Sequence, residues 1–156
     1  MFALLISSAP DSCTTREILR HTESTSQLAD LGQYEAAAQQ FVDYWFQPGA
    51  WAATQENVRA EIRDGMSLVR QRWDALLRDP VRIADLASID VPALCLTAQD
   101  SNAPTRALGQ LLIRALPRAR AIDLEGVGHM APLSNPDQVN PLIRAFLQEI
   151  ACSQSR

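Results

Sequence analysis

The chain has 156 residues, 47% of them hydrophobic, with a formal net charge of -4 and a pI near 5.1, the profile of one soluble globular domain long enough to bury a core. The acidic balance and scattered cations give no basic footprint for nucleic acid, and since all fourteen cationic residues are arginine, neither a Schiff-base lysine nor a Walker-type phosphate lysine is available among them. Cys13, Cys95 and Cys152 lack C-x-x-C spacing and the only histidines are His21 and His129, so no disulfide framework, metal centre or cofactor is implied and a reducing cytoplasmic setting is expected.

In chain order, the run Phe2 to Ile6 is too short to span a bilayer and no positive segment precedes it, so no membrane role is expected. A polar loop, Ser7 to Ser12, follows. Thr14 or Thr15 is predicted to cap a short helix through Ile18 and Leu19, and a second helix is predicted from about Thr22 to Leu31, closed by Gly32. His21 falls between them and is expected to be solvated. Tyr34, Ala38, Phe41 and Trp45 recur at steps of four, three and four, which predicts a helix from Tyr34 to Phe46, ended by Pro48-Gly49. From Thr54, a long helix is predicted to about Arg78, because Val58, Ile62, Met66, Val69, Trp73 and Leu77 form an apolar seam; Gly65 weakens it locally. Ser67 lacks the second glycine and the preceding strand of a G-x-S-x-G nucleophile elbow, and reads as a helix residue. Asp79-Pro80 ends the seam, which divides the chain into a helical region, 1–80, and a second region, 81–156.

The second region carries the chemistry. Val91 to Ala98 is an apolar run opened by Pro92, as in a strand covered on both faces. After Gln99, Asp100, Ser101, Asn102 and Ala103, Pro104 opens a predicted helix through Leu108, Leu111, Leu112 and Leu116, and Ala119 to Leu124 is a second strand candidate. Strand, helix and strand in that order form a parallel crossover, so both strands end on one edge, where open α/β sheets bind ligands. Asp100 follows the first strand and His129 the second. Gly126 and Gly128 allow a sharp loop that returns His129 over the strand ends. A carboxylate on one imidazole nitrogen fixes the tautomer and leaves the other nitrogen to accept a proton from a nucleophile. Read singly, Asp100 also suits a helix cap and His129 a polar loop residue. At the far end Asn140 is predicted to cap a helix with Pro141 at its first position, burying Leu142, Ile143, Phe146, Leu147 and Ile150, and the tail from Cys152 to Arg156 is expected to fray.

At these residues the sequence resembles the C-terminal half of the α/β-hydrolase family. The matching features are a strand, Leu94 to Ala98, followed by D-x-x-x-P at Asp100 to Pro104, then G-x-G-H-M at Gly126 to Met130. A closing helix with Pro136, Val139, Asn140, Phe146 and Leu147 completes the match, which covers about the last 70 residues. The helices before it resemble the family's lid, especially Tyr34 to Ala38, Phe41 to Trp45 and Pro48 to Trp51. The resemblance implies a partial α/β-hydrolase fold: a helical lid-like region, 1–80, then a C-terminal core fragment, 81–156, with a small parallel sheet and flanking helices. It implies Asp100 and His129 as the catalytic pair. Trp45, Trp51 and Met130 are the candidate substrate contacts, although the aromatic cluster of Phe41, Tyr44, Trp45, Phe46 and Trp51 suits helix-on-helix packing, the commoner role for any one of them.

The family's nucleophile elbow and oxyanion hole precede its lid, and no such motif occurs in these 156 residues. The expected activity is hydrolysis of an ester or similar acyl bond in a small apolar substrate, incomplete in this chain by itself. The alternative is a non-catalytic module that binds a small apolar ligand or a partner chain. A strand apolar on both faces with one visible neighbour leaves an open edge, so the expected partners are a complementary N-terminal hydrolase half or further copies of the chain itself.

Overall fold

The computed structural model describes residues 2–154. The opening apolar run folds as α1 (Phe2–Ser8), which buries Phe2, Leu4 and Leu5. Ser12 then caps α2 (Cys13–Asp30), its hydroxyl accepting the Thr15 N–H at 3.0 Å and so satisfying one of the donors a helix start leaves open. The two short helices predicted on either side of His21 are thus one helix, and the cap is Ser12. Hydroxyls in the middle of α2 bond back into it, Thr22 Oγ1 to Leu19 O at 3.0 Å and Thr25 Oγ1 to His21 O at 2.8 Å. His21 is buried, 7% exposed, which overturns its expected solvation. Gly32, at φ 71°, ends α2 with the paired bonds Gly32 N–H to Ala29 O and Gln33 N–H to Leu28 O, a Schellman turn that needs a residue free to adopt positive φ.

α3 (Tyr34–Trp45) packs on α2 through Ala37, Ala38, Val42 and Trp45. After α4 (Ala50–Ala53), the predicted long helix is two. α5 (Glu56–Gly65) and α6 (Val69–Leu77) are separated by a 3₁₀ turn at Met66–Leu68. The break falls where Gly65 weakens the helix, and it turns Met66, Val69 and Trp73 into the core. Ser67 lies exposed in this turn, its hydroxyl donating to Asp64 O at 3.0 Å.

A short α7 (Ile83–Leu86) leads into β1 (Ala93–Ala98), α8 (Ala103–Ala115) and β2 (Ala119–Leu124). The strands are parallel and in register from Ala93 opposite Ala119 to Ala98 opposite Leu124, the expected crossover. Asn102, not Asp100, caps α8: its side chain accepts the Thr105 N–H at 3.0 Å. The loop after β2 turns at Gly126, φ 66°, and is followed by α9 (Ala131–Ser134) and α10 (Pro136–Gln154). α10 therefore begins at Pro136 and carries Pro141 inside it, against the predicted start at Asn140. That close to its N-terminus the missing N–H removes a single helical bond. The expected buried side of α10 is also only partly so. Val139 is fully buried and Leu142, Phe146 and Ile150 half-buried, whereas Ile143 and Leu147 are 41% and 58% exposed. Cys152 and Ser153 still belong to the helix, and the tail beyond Gln154 lies outside the described residues.

Two apolar clusters hold these elements. The larger runs from Phe2 through Ile18, Trp45, Met66 and Trp73 to Leu108, and so crosses the division drawn at residue 80. The smaller joins Leu124, Val127, Ala131 and Val139 to Leu96, Ala98, Ile122 and Leu142. Among the described residues β1 has no neighbour but β2, and all six of its residues are half-buried. The sequence reads it as a strand covered on both faces, and here its outer edge is open.

Candidate active site

The two loops that carry the candidate pair are stitched together by backbone bonds. Gln99 N–H donates to Leu124 O and Asp100 N–H to Val127 O, both at 3.0 Å. A Cβ on Gly128 would lie at ordinary contact distance, 3.6 Å from Phe46 O and 3.7 Å from Asp100 O, so the loop passes between α3's end and the Asp100 turn. The next residue is His129. Parallel pairing has therefore brought Asp100 and His129 to one edge, as the crossover dictates.

The two residues border different spaces. His129 borders a cavity of about 250 Å3 with Leu96, Ser101, Thr105 and Leu108, and also a cavity of about 520 Å3 walled by Phe2, Phe41, Trp45, Ile62, Met66 and Trp73. Asp100 borders a third space of about 540 Å3 together with Gly126, Val127 and Gly128. No hydrogen bond joins the Asp100 carboxylate to His129 among the described residues. Burial holds the His129 imidazole below its ordinary pKa, so the ring is neutral at pH 7 and available to accept a proton. Its ring packs against Trp45, centroids 4.8 Å apart.

Of the predicted substrate contacts, Trp45 is on the wall of the 520 Å3 cavity beside His129, and Met130 borders both that cavity and the third. Trp51 lines none of the three. It is buried elsewhere, its indole N–H donating to Glu35 Oε1 at 3.1 Å and its face covered by the Arg59 guanidinium at 5.4 Å. The reading from sequence missed the opposite wall, Ile62, Met66, Val69 and Trp73. Their spacing was visible as a seam, but a seam does not say whether it meets another helix or a cavity. Among the described residues no cluster of His, Cys, Asp or Glu is placed to hold a metal, and no helix is long and apolar enough to cross a membrane.

No protein-family model and no curated protein matches the chain. Solved structures do. An enol-lactonase from Burkholderia xenovorans LB400 superposes with a TM-score of 0.64 over 80% of this chain and 49% of its own, at 22% identity. A candidate non-heme bromoperoxidase from Mycobacterium tuberculosis H37Rv gives 0.60 over 83% and 51%, at 18% identity. An esterase from Rhodococcus sp. ECU1013 gives 0.52 over 73% and 41%, at 21%. The chain has part of the α/β-hydrolase fold. It spans about half the length of the solved structures it matches, and the α/β-hydrolase fold accounts for the order of helical region, crossover and closing helix.

Proposed function

We propose that the chain supplies the histidine and the apolar pocket of an α/β-hydrolase active site that cleaves an ester or similar acyl bond in a small apolar substrate. The observation that carries this reading is the position of His129, neutral, at the strand edge and on the wall of the 520 Å3 aromatic cavity. In the proposed reaction an imidazole nitrogen takes the proton of an attacking hydroxyl and returns it to the leaving alcohol. Asp100, across the Val127 loop, orients the ring once its carboxylate turns towards it. The helices before residue 80 act as the lid over that cavity. The nucleophile and oxyanion donors come from a complementary N-terminal hydrolase half, whose strands continue the sheet at the open edge of β1. Three unbonded cysteines favour a cytoplasmic setting.

The missing Asp100–His129 hydrogen bond favours a second reading, a module that binds an apolar ligand or a partner chain without catalysis. Hydrolysis of an activated aryl ester separates the two. The chain by itself is expected to be no faster than its His129→Ala variant, because no hydroxyl stands in an elbow for His129 to activate. Joined to a complementary hydrolase half it is expected to show saturable turnover, lost in His129→Ala and reduced in Asp100→Asn. Turnover in that assembly that is indifferent to both substitutions would leave only the binding module.

A further inference from the structure

We infer that the ligand of the 520 Å3 cavity carries an anionic group, a carboxylate in its simplest form, that pairs with Arg72 at the cavity mouth; this rests on reading that cavity as the substrate pocket. The cavity wall is apolar except for Glu61, Arg72 and the neutral His129. The other arginines of α5 and α6 are engaged: Arg59 with Glu56, Arg63 with Glu35 and Glu56, and Arg70 with Glu23 and Asp30. Arg72 has no hydrogen bond or ion pair among the described residues.

Its guanidinium lies beside Gly65. A Cβ on Gly65, which also lines the cavity, would stand 3.6 Å from Arg72 Nη1, so the guanidinium lies against the bare backbone where α5 ends. A guanidinium presents a planar fork of donors that matches a carboxylate, and it is more weakly hydrated than an ammonium group. An apolar ligand body seated against Trp45, Met66 and Trp73 places a terminal carboxylate at that fork. Glu61 borders the same mouth and opposes an anion. The assignment falls on Arg72 because it is the cation among the residues that line the cavity, and Glu61 then becomes a second handle on the same interaction.

The test is calorimetric titration of the full chain with three probes of one shape: naphthoate, naphthalenemethanol and naphthylmethylammonium. Naphthoate is expected to bind about two- to five-fold more tightly than the alcohol, the range of an exposed charge-assisted pair. Arg72→Gln should reduce naphthoate to the level of the alcohol and leave the alcohol unchanged, Arg72→Lys should keep part of the preference, and Glu61→Gln should strengthen it. Tighter binding of the ammonium probe, or a naphthoate preference that survives Arg72→Gln, would overturn the assignment. If the alcohol binds and Trp45→Ala abolishes that binding, the pocket stands whatever the anion does. If no probe binds, the pocket reading fails and the anion site fails with it.

Discussion

Acidification should unfold this protein through His21. The imidazole is 7% exposed, stacked on Tyr44 with ring centroids 3.7 Å apart and flanked edge-on by Trp45 and Trp73 at 6.1 and 5.9 Å. Its Nε2 has no hydrogen-bond partner, so nothing there compensates a charge, and burial pushes the pKa from 6.5 down to about 4. The unfolded chain therefore takes up this proton before the folded chain does. The stability linked to the neutral ring is present in full above pH 6.5 and is lost progressively as pH falls through 6.5 to about 4. A displacement of 6.5 − 4 = 2.5 pH units corresponds to roughly 3 kcal/mol, a large fraction of the total for a domain of this size. Urea unfolding followed by tryptophan fluorescence at steps from pH 7.5 to 4 measures it. His21→Phe keeps the stacking and removes the titration, so its stability should fall less over this range by about that amount. His129 titrates in the same direction, is present in both proteins and cancels in the difference. Parallel pH profiles for the two proteins would refute the argument.

Gly109→Ala should destabilise although alanine is the better helix former: the gain is about 1 kcal/mol, but the new Cβ would sit 2.9 Å from Thr97 Cγ2, and overpacking of this kind costs about 1–3 kcal/mol. Thr97→Ser removes that methyl while keeping the hydroxyl bonded to Asp123 at 2.9 Å, so the double variant should recover stability in thermal unfolding, and failure to recover would place the strain elsewhere. In an assembly that turns over ester, an Asp100 carboxylate on the ring opposes the lowering that burial imposes on His129, so Asp100→Asn should move the acid limb of kcat/KM to lower pH; a limb that stays in place would mean that Asp100 does not reach the ring. Size-exclusion chromatography with light scattering should show species larger than 17.2 kDa, because β1 offers unpaired backbone groups beside half-buried apolar side chains. A monodisperse monomer with a sharp unfolding transition would show that the edge is closed some other way.

Much of the site was legible because sequence order alone fixes parallel topology. The proline and apolar run of β1, the Pro104 helix and the glycines around His129 suffice to place Asp100 and His129 on one edge, and the edge is where they are. What stayed hidden depends on side-chain direction. Nothing in the spacing of Trp45 and Trp51 separates a cavity wall from a buried anchor to Glu35, and nothing around His21, placed between two predicted helices, marks it as enclosed within one helix whose Thr22 and Thr25 hydroxyls bond to the Leu19 and His21 carbonyls. The long seam from Val58 to Leu77 was correct as a list of apolar residues and wrong as one helix, because the turn after Gly65 is chosen by tertiary packing of Met66 and Trp73.

The position of His129 follows from the inequality of the two cores. Its ring leans on Trp45, which belongs to the large cluster between α1, α2, α3 and α6, while its backbone is carried by Val127 and Ala131 of the small one. The large cluster stacks several helices and buries whole aromatic rings, so it contributes most of the transfer free energy. The small cluster covers one face of a two-stranded sheet, and a sheet of that size owes its persistence to the helices packed on it. With Ile143 and Leu147 exposed on α10 and the β1 edge open, the loop that aims His129 is held on one side by a firm wall and on the other by the smaller core. An added strand at β1 would bury apolar surface on the small core's side, and would fix the Asp100 and His129 loops, already joined through Val127, relative to the Trp45 wall. On the proposed function, completing the sheet would then also align the two side chains.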